Sequence, residues 1–180
     1  MQVLSFNGLD GSGKTEQIRL LEWSCPELFH FTKPLSDYSD RWPALDPLRM
    51  SAWWFEEVPM DEFIGIIIES LDGRSHDVSP DRITVHDRGR RMYQAVCAAT
   101  WCTRTDTTIE KAHERVADRF SRDLKTCPEE AEICLEINRE YQLRIAPYLG
   151  QAVKKPERPS WMHERYARYQ QNLYLALSSL

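Results

Sequence analysis

Eight residues near the amino terminus, Gly8-Leu9-Asp10-Gly11-Ser12-Gly13-Lys14-Thr15, satisfy the spacing GxxxxGK[ST] in full. Residue types at that spacing suit a nucleoside triphosphate such as ATP. Glycines let backbone N–H groups curl around phosphate oxygens. A helix starting at the end of the motif turns its positive N-terminus toward the anion. Lys14 is then placed to reach the β- and γ-phosphates, and Thr15 to offer its hydroxyl to Mg²⁺. The bland alternative is a glycine-rich strand-to-helix turn that binds nothing.

Asp87-Arg88-Gly89 closes a predicted strand and forms the second constellation. Transfer of a phosphoryl group needs little covalent help from a protein. It needs cations and a metal arranged around two facing anions. An acid at the carboxyl edge of a sheet, next to the glycine turn, stands where ligands bind in open α/β folds. A surface ion pair or a helix cap is the alternative for Asp87 and Arg88. Arg90 and Arg91 read either as a solvated face or as further phosphate contacts. Lys33 follows a predicted strand and suits an acceptor phosphate or a snorkelling surface position. Trp53, Trp54 and Phe55 form an aromatic cluster, either core or a stacking surface for an acceptor ring. Lys154, Lys155 and Arg158 lie in a basic, proline-rich stretch that by itself reads as an ordinary charged loop.

The elements that must position these residues alternate between strand and helix. Strands are predicted over Val3–Phe6, Leu28–Thr32, Arg82–His86 and Ala131–Ile137. A helix runs from Lys14 to about Trp23, with Ile18, Leu21 and Leu20 as inward candidates. Residues 33–50 carry Pro34, Pro43 and Pro47 and read as loop. Asp61–Leu71 is a helix with Phe63, Ile64, Ile67, Ile68 and Leu71 on one face, and residues 72–81 are a polar loop. Helices follow over Arg90–Trp101, Thr107–Lys125, Arg139–Val153 and Ser160–Leu180. Thr107 and Glu110 have capping-box spacing. Ile109, Val116, Phe120 and Leu124 form one inward stripe, and Tyr166, Tyr169, Leu173 and Leu177 another. This order predicts an α/β fold: a parallel sheet of about four strands with helices on both faces, in one domain over residues 1–180.

The chain has 180 residues, 42% hydrophobic and 28% charged, which suits one core. Net charge is −5, so no whole-protein field for nucleic acid is present and an anion must be held by local charge. Cysteines at 25, 97, 102, 127 and 134 are odd in number and contain no CxxC. That pattern argues against a disulfide framework or a zinc site and for a reducing cytoplasm. The amino terminus has no basic start or long apolar run, and no segment is long enough to span a membrane. The expected place is the cytoplasm, with neither membrane nor nucleic acid as partner.

Phe6-Asn7-Gly8-Leu9-Asp10-Gly11-Ser12-Gly13-Lys14-Thr15 resembles the "EGxDGxGKS/T" of the thymidylate kinase family of nucleoside monophosphate kinases, and Asp87-Arg88 resembles its "DRY". Weaker echoes are Phe31-Thr32-Lys33-Pro34, at the place of "REP" or "RFP", and Glu157-Arg158, in the place of the lid. The resemblance implies the P-loop kinase topology and ATP·Mg²⁺-dependent phosphorylation of a nucleoside monophosphate, with a lid near residues 144–159. It implies Asp10 near the acceptor sugar or phosphate, Asp87 helping to organise Mg²⁺, Arg88 clamping the acceptor phosphate and Arg158 neutralising the transferring group.

Three departures stand beside it. The family's base-reading arginine is replaced after Trp53-Trp54-Phe55 by Glu56 and Glu57, which suit an amine or hydroxyl-rich acceptor. Tyr93-Gln94 comes three residues earlier than the family's "AYQ", with Arg90-Arg91 in the gap. The family's fifth strand is not expected here, so an exposed edge would favour pairing with a second copy. The expectation is therefore a nucleoside monophosphate kinase. The rivals are a kinase for a specialised acceptor and a nucleotide-binding subunit without turnover.

Overall fold

The structure is a computed structural model that describes residues 2–126, 128–135 and 160–179. Strand β1 (Val3–Gly8) is followed by helix α1 (Lys14–Ser24), strand β2 (Phe29–Phe31) and a 3-10 turn, Leu35–Tyr38. Helix α2 (Pro47–Ala52) continues into a π-helical turn, Trp53–Glu57. Helix α3 (Met60–Ser75), strand β3 (Ile83–Asp87) and helices α4 (Arg90–Arg104) and α5 (Ile109–Asp123) come next. Strand β4 (Glu130–Leu135) and helix α6 (Ser160–Ser178) complete the described chain.

All strand pairings are parallel, and the order is β2-β3-β1-β4. Parallel pairing puts the carboxyl ends of the strands on one edge. Phe6 pairs with Asp87 and Gly8 with Leu135, so the end of β1 lies between the ends of β3 and β4. The strand order departs from β1 in both directions, which opens a crevice at its carboxyl end.

Helix α1 lies against β1, β2 and β3, while α4 packs most extensively on α6 and then on α5. Ala95, Ala98 and Ala99 are fully buried in α4. Their small side chains let the helix axes approach closely. Phe63 of α3 and Phe120 of α5 are buried in the same cluster, each stabilising by roughly 1.5–3 kcal/mol relative to an exposed ring.

Four stretches differ from the sequence expectations. The supposed loop 33–50 contains both the 3-10 turn and α2. The missed signal is Asp46-Pro47: Asp46 Oδ1 accepts from the N–H groups of Leu48 at 2.9 Å and Arg49 at 3.1 Å, and Pro47 takes the first helical position. Helix α3 continues through Asp72-Gly73-Arg74-Ser75 rather than ending at Leu71. Gly73 permits this, since a Cβ there would sit 2.7 Å from the Tyr38 carbonyl oxygen. The N-cap position of helix α5 is Thr108, one residue past the expected Thr107 box, and its side chain makes no capping hydrogen bond to the backbone. In α1, Ile18 and Leu21 are half-buried, but Leu20 is 48% exposed and so is not an inward residue. The helix expected over 139–153 and the last two residues of the fourth expected strand lie outside the described residues.

One face of the sheet is polar yet buried. The pairings Val3–Thr84 and Ser5–His86 put Ser5, Asn7, Thr84 and His86 together, and all four are buried. Buried polar groups need partners. Glu130 supplies several: it accepts from the Ser5 hydroxyl, from His86 Nδ1 at 3.2 Å and from the Arg90 N–H at 3.1 Å. The knot ties β1, β3, β4 and the start of α4 together. Burial alone would raise the Glu130 pKa, but His86, Ser5 and the Arg90 amide hold it at about 2. Burial is the main cause that pulls His86 below its ordinary value, against the bond to Glu130.

Both shifts act in one direction on stability. A carboxyl group with a depressed folded-state pKa stabilises above its unfolded value and loses that contribution as pH falls toward the folded value. For Glu130 the window runs from 4.5 down to about 2. A histidine held neutral by burial begins to oppose folding below 6.5. Glu130→Gln is expected to cost on the order of 2–3 kcal/mol at pH 7 and to flatten the acid limb between pH 4.5 and 2. Chemical denaturation at a series of pH values checks this. An unchanged acid limb in the variant contradicts it.

Candidate functional site

Three glycines shape the turn after β1: Gly8 has φ 136, Gly11 φ 82 and Gly13 φ 84. Gly8 has no room for a side chain, because a Cβ would lie 2.5 Å from the Leu135 carbonyl oxygen. Ser12 N–H donates to Leu9 O at 3.1 Å, which closes the turn, and Gln17 N–H donates to Gly13 O at 3.0 Å, which starts α1. Among the described residues, no side chain caps the N-terminus of α1. Its first N–H groups, which have no intrahelical acceptor, face the turn.

Lys14 is only 6% exposed. Its Nζ donates to Gly8 O at 2.9 Å, Leu9 O at 2.8 Å and Ser12 Oγ at 3.3 Å. Burial is the main cause that lowers its pKa, with Arg88 adding to the effect and Asp10 and Asp87 opposing it. The neighbouring Thr15 is exposed.

Asp10 and Arg88 meet above the turn. Arg88 Nη2 donates to Asp10 Oδ1 at 2.7 Å. Asp10 Oδ2 accepts from the Tyr166 hydroxyl at 2.7 Å and from Gln170 Nε2 at 3.1 Å. Burial would raise the Asp10 pKa, but Arg88, Tyr166, Lys14 and Gln170 together hold it below the usual value. Burial works against the Arg88 charge too, and Asp10 more than compensates, so its pKa is raised. Asp87 is exposed at the end of β3, and its charge acts on Lys14, Arg74 and Arg88. A cation, an acid and a glycine turn are thus brought to one edge from β1, α1 and β3, with α6 closing over them.

The remaining candidates are distributed less closely. Lys33 is exposed beyond the end of β2, where its N–H donates to the Tyr38 hydroxyl at 3.0 Å. Tyr38 in turn donates to Asp77 Oδ2, and His30 Nε2 lies 2.9 Å from Asp77 Oδ1. Arg91 is 64% exposed and lies 3.9 Å from Glu132 of β4. Trp54 is half-buried, its ring centroid 4.7 Å from that of Phe63 and its Nε1 donating to Thr100 Oγ1 at 3.1 Å. Phe55 is buried edge-on against Tyr169 at 5.5 Å. Both rings pack against the core, Trp54 with part of its surface exposed, and Phe55 lies against Tyr169. Glu56 is paired with Arg165 at 3.2 Å rather than facing that cluster. Arg158, Lys154, Lys155 and the whole lid expected at 144–159 lie outside the described residues.

Four site residues escaped the sequence reading in that role: Arg74, which donates to the Arg88 carbonyl oxygen, Tyr93, whose ring lies against the Arg74 guanidinium, and Tyr166 and Gln170, which bond to Asp10. Arg74 extends the buried face of α3, seven residues beyond Ile67, and is 2% exposed. Continuing the 3.6-residue period past Leu71 would have found it. Tyr166 and Gln170 stand four residues apart and so share one face of α6. Beside the turn, a cleft of about 170 Å³ is lined by Gly8, Leu9, Cys134, Leu135, Tyr174, Leu177 and Ser178.

Thr15 and Asp87 are exposed oxygen donors at that edge. Two such ligands fit Mg²⁺, which keeps much of its coordination for water and phosphate. Among the described residues, no group of three or more His, Cys, Asp and Glu is placed to form an all-protein metal cage. No helix among them is long and apolar enough to cross a membrane. The chain matches no protein-family model and no curated protein sequence.

Proposed function

We propose that the chain is a P-loop phosphotransferase that passes the γ-phosphoryl group of ATP to a nucleoside monophosphate, in the manner of thymidylate kinase-like enzymes. One observation carries the reading. The Gly8–Thr15 turn, with three left-handed glycines and a buried Lys14, faces Asp87-Arg88 at the end of the adjacent parallel strand. The strand order β2-β3-β1-β4 supports it as well, because it puts the turn at the crevice where β1 separates β3 from β4.

The backbone N–H groups of the turn and Lys14 hold the donor phosphates. Thr15 and Asp87 would hold Mg²⁺, which supplies further neutralisation of phosphate charge when bound. Arg88 binds the acceptor phosphate, while Asp10 holds its guanidinium and Tyr166 and Gln170 hold the Asp10 carboxylate. An acceptor oxygen attacks the γ-phosphorus, the bond to the β–γ bridging oxygen breaks, and a nucleoside diphosphate leaves. Positioning and charge neutralisation supply the rate.

The test is ATP consumption with Mg²⁺ against nucleoside monophosphates, nucleosides and small hydroxylated metabolites. Turnover on a nucleoside monophosphate is expected. Turnover only on another acceptor moves the chain to a specialised kinase. ATP binding without any turnover makes it a nucleotide-binding subunit, and absence of ATP binding overturns the reading entirely. Within the proposed mechanism, Arg88→Ala is expected to lower kcat/KM for the acceptor by ~2–4 kcal/mol of transition-state stabilisation. Steady-state kinetics at saturating MgATP measures this, and an unchanged kcat/KM would leave Arg88 a structural residue.

A further inference from the structure

Arg88 has φ 72 and is the one non-glycine residue with positive φ among the described residues. An arginine does not keep that conformation unless its surroundings over-determine it. Hydrogen bonds from two directions do so. The Arg88 N–H donates to Phe6 O at 3.1 Å, and the following N–H, of Gly89, donates to Asn7 Oδ1 at 2.7 Å. Both of those acceptors belong to β1. From α3, Arg74 Nη1 donates to the Arg88 carbonyl oxygen at 2.9 Å.

Arg74 is 2% exposed, and burial pulls the pKa of its guanidinium down. Among the described residues it makes no ion pair, and its one hydrogen bond is to the Arg88 carbonyl. Its other partner is the Tyr93 ring, with Cζ 5.7 Å from the centroid. A buried guanidinium is costly to keep. Here it fixes the carbonyl of a left-handed residue, and thereby the direction in which the Arg88 side chain leaves the backbone. That side chain ends 2.7 Å from Asp10.

We infer that Arg74 is a positioning residue: it locks the backbone of Arg88 so that the guanidinium is presented at the acceptor side of the turn. The functional part of this inference rests on the reading of Arg88 as the acceptor cation. The structural part does not.

The test uses the full chain with Arg74→Met, which keeps an apolar stem and removes the donors, and Arg74→Lys, which keeps a charged donor. Backbone NMR couplings and carbon shifts at Arg88 report the sign of φ without any need for turnover. Arg74→Met is expected to lose the left-handed signature and Arg74→Lys to retain most of it. Kinetics at saturating MgATP follow, with Arg88→Met as the partner in a double-mutant cycle. Arg74→Met is expected to lower acceptor kcat/KM about 10–100-fold, as loss of a precisely placed charged contact does. In the Arg88→Met background the same change is expected to add less than about twofold, because residues acting as a unit are not additive.

Retention of the left-handed signature in Arg74→Met overturns the proposal, and so does full multiplication of the two kinetic effects, which would mean that Arg74 meets the acceptor itself. If the wild-type chain turns over no acceptor, the functional reading fails on its own, and the NMR comparison alone decides whether Arg74 sets Arg88. Should Arg74→Met not fold, Arg74→Gln, too short to reach the carbonyl, is read in the same way.

Discussion

Replacing Lys14 by alanine is expected to lower kcat/KM by ~10³-fold, about 4 kcal/mol, while leaving the fold intact. The size follows from what the ammonium would do. It would be the cation nearest the transferring phosphoryl group, in a site whose low exposure strengthens charge interactions. The stability side follows from its present surroundings. Folding buries Lys14 to 6% exposure and lowers its pKa, so the charged form is disfavoured by the fold itself. Alanine removes that penalty along with the bonds to Gly8 O, Leu9 O and Ser12 Oγ. Those opposing contributions are similar in size, so the melting temperature should move by only a few degrees. The lowered pKa carries a second consequence for the wild type. The alkaline limb of kcat/KM for ATP should fall below 10.5, the ordinary lysine value, as the ammonium loses its proton. Steady-state kinetics and a thermal melt on the same preparation check both sides. Near-normal turnover in Lys14→Ala would mean that the glycine turn is not the donor site.

The parts of the site that could be read from the sequence are those where residue type alone dictates geometry. Glycines at 8, 11 and 13 are compatible with left-handed backbone, and all three adopt it. Apolar runs predict buried parallel strands at Val3–Phe6 and Arg82–His86; the strands run Val3–Gly8 and Ile83–Asp87, and their pairing brings Asp87 beside the turn. What stayed hidden depends on tertiary partners. Asp72-Gly73-Arg74-Ser75 is polar and contains glycine, so local propensity favours a loop. The helix persists because Gly73 fits against Tyr38 and Arg74 finds the Arg88 carbonyl. Neither partner is near in sequence. Tyr166 looked like an ordinary member of the apolar stripe of α6, yet its hydroxyl lies 2.7 Å from Asp10, 156 residues away. The aromatic cluster at 53–55 reads in the sequence either as core or as a stacking surface for an acceptor ring, and its rings pack against Trp42, Phe63 and Tyr169, with Trp53 and Trp54 half-buried.

The largest stability effect is expected at Gly8. Two causes act together in Gly8→Ala. Its φ of 136 lies where an L side chain is strained. In addition, the new Cβ would meet the Leu135 carbonyl oxygen at 2.5 Å and Ser12 Oγ at 2.8 Å. Ser12 can turn its hydroxyl away. Leu135 cannot, because its carbonyl belongs to β4, and Gly8 and Leu135 are partners in the β1–β4 register. Relief therefore requires the carboxyl ends of the two strands to separate, and this is where Asp10, Lys14 and Thr15 are positioned. A loss of about 3–5 kcal/mol is expected, with a melting temperature lower by roughly 10 °C or more for a chain of this size. Gly13→Ala isolates the backbone cause. Gly13 has φ 84 but nothing within 4 Å of an added Cβ, so about 1–2 kcal/mol is expected there. The difference between the two variants, measured by denaturant unfolding, isolates the steric conflict with β4. Equal losses would mean that β4 yields without cost and that the turn does not depend on the β1–β4 seam. A larger loss at Gly8, with Gly13→Ala still folded but weakened in ATP binding, would tie the shape of the turn both to the sheet beneath it and to the phosphate binding proposed for it.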